Sequence, residues 1–222
     1  MLLSVWGMSG CGDAEVRDVT VRRPEVKDSS KKEEVPELKL VNLIDPDSLS
    51  IDSALLRKCP PHARFDFPVG PPDAKDYYKF RGFLPKKLEH LGEDWNGKHG
   101  GDSDYGDFVY ACADGMVWEA KDYKGGWGQV IRMVHNLGSV SDPVYVETVY
   151  AHVNSMYVRP GYPMKRGDVL GTIGKGDGRY HAHLHFEIRR IPGKHIRCGY
   201  DGDTLGFVDP TQFIETFRHS TP

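Results

Sequence analysis

Cysteine is scarce in this chain: Cys11, Cys59, Cys112 and Cys198 are the only four in 222 residues. No two of them form a Cys-x-x-Cys pair, so the spacing offers no thiolate metal motif. If Cys11 is modified, the other three can close at most one disulfide. No run of about 18 apolar residues exists to span a bilayer as a helix. Neither sign of charge dominates: 29 Lys and Arg against 32 Asp and Glu leave a net charge of -3, which argues against a nucleic-acid partner. The glycine-rich stretch Gly171–Gly178 lacks the Gly-Lys-Ser/Thr ending of a phosphate-binding loop, and it reads as tight turns. No clear internal repeat is present.

Turn formers and short β-type segments are plentiful. With 25 glycines and 15 prolines, the composition suits a turn-rich β protein. Apolar or alternating segments recur at 108–112, 115–120, 129–135, 144–152, 169–173 and 183–189. Only Ser48–Lys58 and Pro210–Arg218 read as helical, the second behind an Asp209-Pro210 start signal. The length suffices for one catalytic domain with a real core plus a tail.

Histidine carries the chemistry. In His181-Ala182-His183-Leu184-His185-Phe186-Glu187-Ile188-Arg189, strand alternation puts Leu184, Phe186 and Ile188 on a core face and the three histidines on the other. Neutral imidazole is a common metal ligand, so such a row points to metal chemistry. His90-Leu91-Gly92-Glu93-Asp94 spaces an imidazole and a carboxylate four apart, and Gly92 argues for a strand end or loop there. The β-branched and aromatic run Val144–Ala151 ends in His152. Catalytic zinc sites usually take three protein ligands. His90, Asp94 and one histidine of the 181–185 run fit that count, leaving His152 and a second histidine for proton transfer.

These motifs resemble the lysostaphin/LytM-type zinc metallopeptidases. His90 and Asp94 match the family's His-x-x-x-Asp, Tyr150-Ala151-His152 its Tyr-x-His, and His183-Leu184-His185-Phe186-Glu187 its last motif without a change. Segments 106–117, 126–135 and 158–171 resemble the strands and turns between them, so the likeness runs from about residue 65 to residue 214. The resemblance implies an all-β, mostly antiparallel sheet or barrel-sandwich domain with short helices and long groove-lining loops. It implies one zinc ion per chain on His90, Asp94 and His185, with His152 and His183 as catalytic groups. It leaves open which of those two takes the proton of the attacking water and which donates to the oxyanion. The implied reaction is endopeptidase cleavage of the cross-linking peptides of bacterial peptidoglycan by a monomer. Two other readings belong to different classes. One is a non-catalytic activator or wall-binding module of the same family. The other is a cupin-type metal dioxygenase, which needs its glutamate several residues after the second histidine, whereas Glu187 follows His185 by two.

Other residues have plainer expectations. His181 reads as groove wall rather than ligand, Glu93 as a poorer fit to the metal than Asp94, and Glu187 as an orienting partner. His135 and Cys112 belong to the core, and His62, His99, His195 and His219 have no partner motif. The loops Trp95–Gly101 and Lys194–Gly206 are expected to wall the groove. Residues 1–11 resemble the end of a lipoprotein signal without its basic start, with Cys11 as the lipidated residue. Residues 12–45 have the mixed-charge composition of a disordered tether, residues 46–64 form a lead-in, and residues 65–218 the peptidase domain. The implied location is the cell envelope, lipid-anchored through Cys11.

Overall fold

A computed structural model of the chain describes residues 50–83, 90–197 and 203–218. The chain builds strands β1 (Tyr77–Arg81), β2 (Glu93–Gly97), β3 (Phe108–Tyr110), β4 (Gly115–Asp122) and β5 (Gln129–Asn136). They continue as β6 (Tyr145–Met156), β7 (Pro163–Met164), β8 (Val169–Ile173), β9 (Leu184–Arg189) and β10 (Phe207–Val208). Among the described residues these form one sheet in the order β1-β2-β9-β6-β5-β4-β7, with β10 on β9, β3 on β8, and β8 on β6. Every pairing in it is antiparallel. The all-β antiparallel expectation therefore holds.

The six segments read as strands become β3, β4, β5, β6, β8 and β9. β1, β2, β7 and β10 carry no apolar alternation in sequence; β2 is Glu-Asp-Trp-Asn-Gly. It is a strand because it pairs with β9, a tertiary contact that local pattern does not report. The expected helix over 48–58 contracts to α1, Ser53–Leu56, capped by the Asp52 carboxylate on the Ala54 amide. The second helix, α2, runs Pro210–Phe217 with Asp209 as N-cap and Phe213, Ile214 and Phe217 buried beneath it.

The long strand β6 organises the molecule. One edge pairs with β5 over Tyr145–Val153; the other pairs with β9 over Glu147–Ala151 and then with β8 from Val153. His152 sits at that switch. Residues Leu184, Phe186 and Ile188 of β9 are fully buried on one face, where Phe186 meets Tyr150 at 5.2 Å between ring centroids. The other face of β9 is also buried, but it carries His185, Glu187 and Arg189. Cys59, Met116 and Val134 form a core cluster joined by Leu55, Leu56, Trp118 and Tyr145, so residues ahead of Phe65 pack on the sheet. Cys112 is fully buried, and burial pushes its thiol up to about 12. His135 is likewise buried between the Asp114 carbonyl (2.9 Å) and Thr148 Oγ1 (2.8 Å).

Candidate metal centre and groove

Strand register brings three of the sequence-selected residues together. Asp94 of β2 lies directly opposite His185 of β9, so both side chains rise from one face. Glu93 is opposite Phe186 and points to the other face, where its carboxylate is held by Lys79 Nζ (2.7 Å), Trp95 Nε1 (3.1 Å) and Thr211 Oγ1 (2.7 Å). One step of the pleat thus separates the candidate ligand from its neighbour. His90 precedes the strand, and the turn to Asp94 passes tightly over β9. A Cβ on Gly92 would come within 2.5 Å of the Phe186 carbonyl and 3.0 Å of the His185 ring. Only glycine permits that approach.

Candidate ligand atoms of His90, Asp94 and His185 lie within 4.8 Å of one another. His90 Nε2 is 3.2 Å from Asp94 Oδ1 and 3.2 Å from His185 Nδ1, and His185 Nδ1 is 2.9 Å from Asp94 Oδ1. The remaining ring nitrogens are committed elsewhere. His90 Nδ1–H donates to the Gly82 carbonyl at 3.0 Å, and His185 Nε2–H to Glu187 Oε1 at 3.0 Å. Those bonds fix both tautomers and turn two lone pairs and a carboxylate oxygen toward one point, a donor set that fits a divalent cation. Burial lowers the pKa of His185, but the Asp94 and Glu187 carboxylates outweigh it and raise it to about 9. A proton is thus held where a cation fits. Burial opposes ionisation of Glu187, yet Arg189, bonded to it at 2.7 Å through Nε, holds its pKa at about 2.

His152 reaches this cluster through a backbone irregularity. In a regular strand Tyr150 and His152 would share a face, and Tyr150 is fully buried among Cys112 and Phe186. A β-bulge intervenes: Gln129 pairs with Val153 and Ile131 with Tyr150, so Ala151 and His152 oppose Val130 alone. His152 adopts φ 62, in the left-handed region, and its ring turns to the His185 face, 5.7 Å from the His185 ring and 4.6 Å from the His183 ring. Its Nδ1–H donates to the Trp127 carbonyl at 3.3 Å. His183, paired with Gly174 in an isolated bridge, donates Nδ1–H to the His181 carbonyl at 2.8 Å. Its Nε2 lies 3.7 Å from Asp94 Oδ1. Both groove-side imidazoles therefore keep Nε2 as the acceptor atom, and burial lowers the pKa of each, that of His152 further.

His181 parts from the expected row of three. It precedes β9, its side chain is 80% exposed, and it meets Asp102 Oδ1 at 3.2 Å. Of the expected groove walls, Trp95–Gly97 is buried in β2, while Asp102 ties His181 and Lys175 (2.6 Å) together. Lys194, His195 and Arg197 line a recess with Trp127 and Leu91 beside Glu187. Trp127 and Tyr180 were not singled out by motif. The Trp127 ring stands edge-on to His185 at 5.3 Å, and Tyr180 packs on His152 at 5.1 Å and on His183 at 5.8 Å.

Known proteins resemble this chain in sequence and in fold. The profile of Peptidase family M23 matches residues 89–198. Murein hydrolase activator NlpD of Salmonella dublin is 34% identical over 106 residues, 47% of this chain and 26% of that protein. DD-carboxypeptidase/endopeptidase Mpg of Neisseria meningitidis serogroup B is 35% identical over 81 residues, 36% of this chain and 17% of that protein. The chain thus spans about a quarter or less of the length of these curated relatives. One chain in the crystal structure of the SpoIIIAH and SpoIIQ complex shares the fold at TM-score 0.50 and 21% identity, covering 68% of this chain and 99% of that one. Ordered motifs, sheet and profile match converge: the chain belongs to peptidase family M23, the lysostaphin/LytM-type family.

Proposed function

We propose that this protein is a zinc-dependent endopeptidase acting on the cross-linking peptides of bacterial peptidoglycan. The observation that carries the proposal is a complete His90, Asp94 and His185 donor set with two further imidazoles, the buried His152 and the half-buried His183, at its side. His90 Nε2, Asp94 Oδ1 and His185 Nδ1 would hold the ion. Zinc there supplies Lewis acidity to polarise the scissile carbonyl and to make water nucleophilic near neutral pH. His183 is the better proton acceptor of the flanking pair, because the Asp94 and Asp104 carboxylates partly offset the effect of burial. Its Nε2 takes the proton of the attacking water and returns it to the leaving amine. His152, held more firmly neutral, accepts a hydrogen bond through Nε2 and orients that water.

The 34% identity with an NlpD named as a murein hydrolase activator supports a second reading, a wall-binding activator that keeps zinc without using it. The complete set of five residues favours catalysis over that role. A cupin-type dioxygenase is disfavoured, since Glu187 bonds the outer nitrogen of His185 and Arg189 and is not itself one of the grouped donor residues. The protein would work as a monomer at the cell envelope. Its lipid anchor would be Cys11, which lies outside the described residues, as do the tether and Cys198. Digestion of purified peptidoglycan of defined cross-link, with and without chelator, tests the reading. New peptide termini found by mass spectrometry only without chelator support it, and their absence in both arms refutes it.

A further inference from the structure

Tyr180 belongs to none of the family motifs quoted above, yet its ring touches both flanking imidazoles. The centroids lie 5.1 Å from His152 at 51° and 5.8 Å from His183 at 58°. The ring is seated between two glycines. A Cβ on Gly176 would approach its Cδ2 and Cε2 edge to 2.9 Å, and Gly176 already has φ 52. A Cβ on Gly126 would collide with the Tyr180 hydroxyl, whereas the ring carbon behind it is 3.5 Å away, an ordinary contact. Gly126 precedes Trp127, whose carbonyl accepts from both the backbone amide and Nδ1 of His152. The Tyr180 amide donates to the Lys175 carbonyl at 3.1 Å, which closes the turn that delivers the ring. One side of the imidazole pair is thus backed by His185 and another by Tyr180.

We propose that Tyr180 is a positioning residue whose ring, rather than its hydroxyl, holds His152 and His183 in their working rotamers. Each imidazole has a single backbone carbonyl bond on Nδ1, which fixes the tautomer but leaves the ring able to swing about that bond. Aromatic packing at these separations supplies the second constraint. Misplacing such a group by about 1 Å costs roughly a hundredfold in rate.

The proposal rests on the peptidase reading for its rate consequence, so its test has a second readout that needs no turnover. In the zinc-loaded protein, Tyr180→Ala is expected to lower kcat on the order of tenfold to a hundredfold with little change in KM. Tyr180→Phe should keep both values near those of the parent. Gly126→Ala should reproduce the loss, and the double variant Gly126→Ala/Tyr180→Phe should recover, because the colliding oxygen is gone. In parallel, imidazole NMR of His152 and His183 should show exchange broadening in Tyr180→Ala and Gly126→Ala, and sharp parent-like signals in Tyr180→Phe and the double variant. Unchanged imidazole signals in Tyr180→Ala, or a double variant no better than Gly126→Ala, would overturn the proposal. A parent protein without turnover would sink the peptidase reading alone, and the NMR arm would still decide the role of Tyr180.

Discussion

Glu187→Gln is the substitution whose outcome the geometry specifies most fully. The glutamate accepts His185 Nε2–H at 3.0 Å with one oxygen and Arg189 Nε at 2.7 Å with the other. An amide keeps one acceptor only, so either His185 or Arg189 must face an NH2 group. Loss of a ligand-orienting partner typically weakens metal binding about 10–100-fold, which is about 1.4–2.7 kcal/mol. Arg189 would retain the Lys194 carbonyl at 2.9 Å but would stand 3.9 Å from its next carboxylate, Glu147. A buried charge stripped of its partner costs up to about 3–5 kcal/mol, so the fold should soften as well. Competition of the metal-free protein against a chromophoric zinc chelator measures the first effect, and urea unfolding measures the second. A variant that is destabilised yet binds zinc as tightly as the parent would refute the orienting role and leave Glu187 a purely structural residue.

Further outcomes follow from the same contacts. Gly92→Ala should lower zinc occupancy, because its Cβ presses the Phe186 carbonyl and the His185 ring; equilibrium dialysis with metal analysis gives the answer, and full occupancy contradicts the close-approach account. Burial lowers the pKa of His135 to about 4, while the unfolded chain titrates near 6.5. The unfolded state therefore binds the extra proton first, and stability should fall as pH drops from about 6.5 to about 4, by about 3 kcal/mol in all. His135→Gln should flatten that slope, and an unaltered slope would assign it to other groups. The pKa of His185 is raised to about 9 in the metal-free protein, so its stabilisation is complete below about 6.5 and fades as pH rises through about 9. Zinc must displace that proton, so zinc affinity should climb over the same window, as calorimetry can follow. Cys59 and Cys112, both pushed up to about 12 by burial, should resist alkylation in the folded protein and react once it is unfolded, as peptide mapping would reveal.

What the sequence made legible was what local pattern encodes. Leu184, Phe186 and Ile188 alternate with polar residues, and their strand and its buried face follow directly. Asp209-Pro210 marked the start of α2 to the residue. β2 stayed hidden because Glu93-Asp94-Trp95-Asn96-Gly97 is strand only through its partner β9, and the choice between Glu93 and Asp94 is made by that register. Unbroken period-two alternation would put Tyr150 and His152 on one face. The bulge instead sends Tyr150 to the core and His152 to the groove, a reversal that period-two reasoning could not foresee. The roles of Trp127, between Gly126 and Gly128, and of Tyr180, two residues after Gly178, have no local signal, because aromatic residues beside glycines read as turn or core until their ring partners are known.

The central claim is that His90, Asp94 and His185 bind one zinc ion that His152 and His183 put to use in hydrolysis. The most direct measurement adds zinc stepwise to the metal-free protein in the presence of purified peptidoglycan and follows released amines. The account predicts a rate that rises linearly to one equivalent and then levels off, with His183→Ala reaching the same zinc stoichiometry and almost none of the rate. Hydrolysis without zinc, or one tightly held zinc in the parent protein with no hydrolysis, would contradict it.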